Sequence, residues 1–241
     1  MDPFTFAIVT GLLVAVGGPA VLGVIKYSPR AMRRIKRWFR GTNFLILGPA
    51  EAGKTSFLNF LQYDQFADIH PTMKTLEVTR VHSFSVDRGG ELKLDVSKGF
   101  DVPGELHPQD QAEIAFKQRP QTLILWTSLP NEKTTDWLAT FCFHLNRQLL
   151  NDPALAKKLK SLTIVMNKQD EVEKDVIKKR TEQIREVINN TLRPALQENV
   201  ERVAILPCTL LEEKGGEHAA NTVLLTIAHS LMRTKSLTKS Q

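Results

Sequence analysis

Cysteine is scarce in this chain: its 241 residues contain only Cys142 and Cys208. Two thiols cannot build a disulfide framework, so a stapled secreted scaffold is excluded, and a reducing compartment or two buried thiols fit instead. Internal repeats and low-complexity tracts are also absent. With 42% hydrophobic and 24% charged residues, the chain is neither collagen-like nor mostly disordered. Acidic residues are missing from a whole region: between Phe4 and Arg40 there is none. Seven basic residues crowd the 15 positions from Lys26 to Arg40, whereas from Gly41 onward 25 basic and 25 acidic residues cancel. The net charge of +6 therefore belongs to one short segment. A nucleic-acid-binding domain carries its basic excess on the folded body, so direct contact with nucleic acid is not expected.

Phe4 to Ile25 holds no charged residue over 22 positions. As a helix such a run reaches about 33 Å, enough for a hydrocarbon core of roughly 30 Å. Gly17, Gly18 and Pro19 interrupt it, which membrane helices tolerate. A signal peptide has a positive leader and a shorter apolar core; here the only leading charge is Asp2 and the positive charges follow. That order predicts a transmembrane signal anchor over 1–25, with everything after Lys26 facing the cytosol. Residues 26–40 then form a basic juxtamembrane segment in which Met32, Ile35, Trp38 and Phe39 recur at helical spacing. It reads as an interfacial helix on anionic headgroups or as a plain topology signal and linker. Asp at position 2 excludes N-myristoylation. An endoplasmic-reticulum membrane and a bacterial inner membrane both fit.

Beyond Gly41, strand-type runs alternate with helical patterns. Strands are expected at Asn43–Leu47, Val78–Val86, Glu91–Val96, Gln121–Ser128, Ser161–Met166 and Arg202–Leu206, the second and third joined as a hairpin around Asp87-Arg88-Gly89-Gly90. Helices are expected at Lys54–Tyr63 and near 108–118, 134–150, 173–192 and 217–232. This alternation predicts an α/β domain over 41–233, a mostly parallel sheet flanked by helices, with a flexible tail over 234–241.

Gly48-Pro49-Ala50-Glu51-Ala52-Gly53-Lys54-Thr55 fits the phosphate loop G-x-x-x-x-G-K-[ST] and stands between a predicted strand and a predicted helix, whose next residue is Ser56. Backbone N–H groups and a helix N-terminus make an anion nest there. Lys54 neutralises terminal phosphates and Thr55 ligates Mg²⁺ in that motif. The loop specifies a nucleoside triphosphate, not which one. Farther on, Asn167-Lys168-Gln169-Asp170 ends a buried-type strand, where open α/β sheets bind ligands. The Asp170 carboxylate can accept two hydrogen bonds from guanine, a donor pair adenine lacks, and the Lys168 stem can cover the purine face. An ATPase with an accidental Asn-Lys-Gln-Asp is the weaker alternative.

These two motifs give the chain a resemblance to the small GTPases of the ADP-ribosylation-factor branch. Its organisation is most like that of the beta-subunit family of the signal recognition particle receptor, which also carries a membrane helix before a Ras-like P-loop GTPase domain. Pro71-Thr72 matches a Pro-Thr of the first switch, Asp101-Val-Pro-Gly104 matches an Asp-x-Pro-Gly, and Pro207-Cys208-Thr209 loosely matches the last guanine loop. The resemblance implies GTP/GDP and Mg²⁺ as ligands. Thr72, with Thr75 as a rival, and Asp101 would hold the metal with Thr55. Gly104 would reach the γ-phosphate, and Cys208 and Thr209 would serve the base through their backbone. A cytosolic protein effector would bind through the switches.

Glu105 departs from the family's pattern, since Gln or His usually follows that glycine. With Lys54 it is the expected catalytic residue, yet a carboxylate there adds negative charge near the γ-phosphate, so weak intrinsic hydrolysis is implied. Extra residues between Glu91 and Gly104 suggest a remodelled second switch, and Leu210 stands where a lysine is common. Two functions follow: a membrane-anchored GTP/GDP switch that recruits a cytosolic partner, or a non-hydrolysing, GTP-bound docking module, a pseudo-GTPase scaffold fitting a bacterial membrane system. His70, His82, His107 and His144 lack ligand spacing. Cys142, Trp126 and Trp137 read as core.

Overall fold

A computed structural model of the chain describes residues 42–63, 66, 79–81, 85–88, 92–102, 104–196, 203–211, 213 and 215–237. The segment expected to be an anchor, the basic segment and Pro71-Thr72 lie outside the described residues, and among those described no helix is long and apolar enough to cross a membrane.

The chain alternates strands and helices as expected. Strand β1 (Thr42–Leu47) leads into helix α1 (Lys54–Tyr63). Then come β2 (Thr79–Val81), β3 (Ser85–Arg88), β4 (Leu92–Asp101) and α2 (Pro108–Gln118). They are followed by β5 (Thr122–Ser128), α3 (Lys133–Asn151), α4 (Pro153–Lys158) and β6 (Ser161–Asn167). The chain continues through α5 (Lys174–Val187), α6 (Arg193–Leu196), β7 (Val203–Pro207) and α7 (Gly216–Leu237). The sheet order is β2-β4-β1-β5-β6-β7, with β3 also on β4. Strands β4, β1, β5, β6 and β7 run parallel; only the β2–β3 edge is antiparallel.

Strands β5 and β6 are buried along their whole length, because helices cover both faces of a parallel sheet. On one face Phe44, Ile46, Ile124 and Trp126 pack with Phe57 and Phe60 of α1 and Val223 and Leu224 of α7. On the other, Leu45, Leu47, Leu125 and Ile164 meet Leu138, Phe141 and Leu145 of α3 and Ile184 of α5. Cys142 belongs to this second core, its thiol pushed far up by burial. Trp126 and Trp137 are packing residues: Trp126 lies against Phe57 with ring centroids 5.1 Å apart, and Trp137 stacks on Phe141 at 5.3 Å. Truncating Phe141 to Ala would cost about 3–5 kcal/mol.

Four boundaries differ from the sequence expectation. Strand β4 runs to Asp101, with a register irregularity against β1 between Thr42 and Asn43. The extra residues before the expected metal aspartate thus lengthen a strand, and they pair with β2 as well. The hairpin has Arg88 opposite Leu92, so Asp87 and Arg88 are strand rather than turn. The helix expected over 173–192 becomes a π turn at Ile188–Leu192; Pro194 has no N–H for the carbonyl four residues earlier, which disfavours a regular α continuation. Helix α7 continues to Leu237, into the segment expected to be tail, because neither Gly nor Pro stands there to stop it.

Candidate nucleotide site

The site lies beyond the C-terminal ends of β1, β6 and β7. Its phosphate side is the turn from β1 into α1. Gly48 sits at φ +151°, and a Cβ there would come within 2.3 Å of the Trp126 carbonyl oxygen. Gly53 has φ +101°, and a Cβ there would lie 2.4 Å from Asn167 Nδ2. Glycine is the residue that permits both the left-handed backbone and the close approach. Glu51 adopts φ 61° with its side chain exposed. Among the described residues the N–H groups of Glu51 and Gly53 make no hydrogen bond, as suits donors in an anion nest. Lys54 is buried at 6% exposure. Its Nζ donates to the Gly48 carbonyl (3.0 Å) and the Pro49 carbonyl (2.7 Å), which holds the ammonium inside the loop. Thr55 and Ser56 are half-buried in the first turn of α1.

The turn after β4 packs directly on this loop. A Cβ on Gly104 would lie 2.3 Å from Ala50 N and 2.6 Å from the Pro49 carbonyl carbon, so a glycine is required. Glu105, next along, is exposed. The backbone of Asp101 ends β4, paired with Ile46 on one side and Thr79 on the other.

The base side is assembled from two distant loops. Asn167 is buried at the end of β6. Its Nδ2 donates to the Ala52 carbonyl at 3.1 Å, and its Oδ1 accepts from Leu210 N at 3.2 Å. One side chain therefore clasps the phosphate loop to the loop after β7. Lys168 takes a left-handed φ of 63°, which turns the chain sharply into a short 3₁₀ turn, Gln169–Glu171. Asp170 is exposed there, and its Oδ1 accepts from Thr209 Oγ1 at 2.9 Å. Carboxylate and hydroxyl thus come together across 39 residues of chain.

The Cys208 backbone is hydrogen-bonded on both sides. Its N–H donates to the Met166 carbonyl (2.8 Å) and its C=O accepts from Gln169 N (3.1 Å). These bonds extend the β6–β7 pairing into the loop. Its thiol is buried 3.9 Å from Asn167 Oδ1, and burial pushes that thiol up to about 12. Thr209 contributes its side-chain hydroxyl, which donates to Asp170.

Two participants were not legible as such. Leu210 supplies the amide to Asn167. Gln111, fully buried on α2, accepts from Gly48 N at 3.1 Å and donates to the Leu106 carbonyl at 3.1 Å and the Gly48 carbonyl at 3.4 Å. In sequence it is one polar residue in a polar helix, with no signal to mark it.

No protein-family model matches the chain, and no curated protein does. Among solved structures, translation elongation factor SelB from Methanococcus maripaludis, in complex with the GTP analogue GppNHp, is similar over 78% of this chain at 15% identity and a TM-score of 0.48. This chain spans about a third (34%) of that protein's length. Likeness at that level carries no functional inference.

Proposed function

We propose that the chain is a membrane-anchored guanine-nucleotide switch with a Ras-like P-loop GTPase domain facing the cytosol, whose GTP-bound form recruits a cytosolic protein partner. The observation that carries the nucleotide part is the Asn167 clasp, which ties a phosphate loop to a carboxylate-bearing loop. Lys54 would balance the terminal phosphates, and the amide N–H groups of Glu51 and Gly53 would donate to their oxygens. Thr55, Thr72 and Asp101 would hold Mg²⁺, which would supply positive charge to offset that of the nucleotide. Asp170, oriented by Thr209, accepts the two donors of guanine, and adenine would leave that carboxylate unmatched. The anchor rests on the uncharged run from Phe4 to Ile25 and its basic collar.

Glu105 favours a second reading, a GTP-bound dock that hydrolyses little. A carboxylate beside Gly104 can accept a proton from water but adds negative charge near the γ-phosphate. Two measurements apply, the first to the guanine assignment both readings share and the second to the choice between them. Equilibrium binding with Mg²⁺ should prefer GDP and GTP over ADP and ATP by at least about 100-fold; equal affinities would overturn the guanine assignment. Single-turnover hydrolysis of bound GTP, with and without cell extract, distinguishes switch from dock: turnover supports the first, and GTP intact after hours supports the second.

A further inference from the structure

The geometry points to Gln111 as a positioning residue that makes nucleotide retention depend on the seating of α2. This rests on the guanine-nucleotide reading and deepens it.

Helix α2 follows the turn that bears Gly104 and Glu105. His107, at its N-cap, makes no side-chain capping bond, and the first helical turn is closed by Gln111 N donating to the His107 carbonyl at 3.1 Å. The Gln111 side chain then leaves the helix and enters the phosphate loop. Its Oε1 takes the Gly48 N–H, while its Nε2 faces the Gly48 and Leu106 carbonyls. A side-chain amide here meets both polar groups of one residue's backbone, as a neighbouring strand would. The Gly48 carbonyl is also one of the two that hold the Lys54 ammonium. Gln111 therefore fixes the peptide on which the phosphate-binding lysine rests.

The burial raises the stakes. Gln111 has 0% exposure, so a shift of α2 that falls short of opening the core leaves the Gly48 N–H without its partner in a buried setting. An unsatisfied buried donor costs more than the bond gained. A partner that levers α2 outward would thus loosen the phosphate loop from behind without touching the nucleotide.

The test uses the full-length chain in detergent micelles and a fluorescent GDP. Gln111→Met keeps the unbranched shape and removes all three bonds. It should speed GDP release about tenfold or more while leaving the preference for GDP over XDP unchanged, because Asp170 and Thr209 are untouched. Leu196→Ala, a buried truncation on α6, which packs on α3 and α4, serves as a stability control and should leave the release rate near that of the wild type. Equal acceleration in both variants, or none in Gln111→Met, would overturn the inference. Should Gln111→Met fail to fold, amide exchange in the wild type decides. The Gly48 amide should be protected as strongly as those of α2 and lose protection together with them; a Gly48 amide that exchanges freely while α2 stays protected would count against the coupling. Absence of any guanine-nucleotide binding by the wild type would instead strike the underlying reading.

Discussion

The two halves of the candidate site are built by different means. The phosphate half is one contiguous stretch, Gly48 to Thr55, shaped by backbone: two glycines at positive φ, carbonyls around a lysine, and amides left over. The base half is made by side chains from loops about 40 residues apart, with Asn167 on Leu210 and Asp170 on Thr209. Backbone construction is intolerant, because an added Cβ strikes atoms that cannot move without the sheet. Side-chain construction is graded, because each bond can be lost separately. The halves should therefore fail differently.

The largest effect is expected at Gly48. In Gly48→Ala the new Cβ would sit 2.3 Å from a backbone oxygen of β5, at a φ that alanine avoids. The strands β1 and β5 must part or the turn must rearrange, at about 3 kcal/mol or more. Urea unfolding measures this. A loss below about 1 kcal/mol would mean that the turn is far more pliable than its packing implies.

Asn167 belongs to both halves, so its removal should sit next in size. Asn167→Ala leaves the Ala52 carbonyl and the Leu210 N–H without a partner in a buried setting. About two buried bonds are lost, which corresponds to GDP affinity falling roughly 100-fold. Titration with a fluorescent guanine nucleotide reads it. If affinity drops less than about tenfold, the halves are held together by something other than this clasp.

How visible each half is in the sequence follows from the same contrast. The phosphate half is local, so its residue types must occur at fixed spacing and the motif can be read along the chain; α1 begins and ends where its pattern says. Asn167 to Asp170 is also contiguous and announces itself. What pairs with these residues does not. The Leu210 amide carries no side-chain signature, Thr209 was expected for its backbone, and Gln111 reaches Gly48 across 63 residues. Tertiary hydrogen bonds of that kind leave no periodicity. Helix α4 was missed for another reason. Its signal is present, since Asp152 caps it by accepting from Ala154 N and Leu155 N just before Pro153, but six residues are too few to show a helical period. The extension of β4 to Asp101 arises because pairing on both sides supports a segment containing Lys98 and Gly99 that looks unlike a strand by itself.

Within the base half, Asp170→Asn should change preference more than affinity. The amide supplies one acceptor and one donor where guanine needs two acceptors, and xanthine offers the complementary pair. XDP should gain and GDP lose about tenfold or more each. Competition between the two diphosphates reports it; an unaltered GDP:XDP ratio would detach Asp170 from the base. Thr209→Ala is milder. It removes one 2.9 Å bond to a carboxylate that is exposed, so GDP affinity should fall about fivefold, near 1 kcal/mol, with the base preference kept.

The smallest effect concerns the floor of the base half. Cys208 is buried beneath the loop, and its thiol is pushed up from 9.0 to about 12. At neutral pH it is protonated in folded and unfolded chains alike, so it contributes no pH dependence. Above pH 9 the unfolded chain releases the proton first and the folded chain retains it, so stability falls as pH rises from about 9 towards about 12. Cys142 adds to that slope from the opposite face of the sheet. The comparison is therefore between the wild type and Cys208→Ala, whose stability should decline less steeply over that interval. The same burial predicts that iodoacetamide at pH 8 alkylates neither thiol in the folded protein and both after unfolding. Rapid native modification at Cys208 would mean that the base half opens to solvent from below, and a half that opens in that way could not hold Asn167 between its two partners.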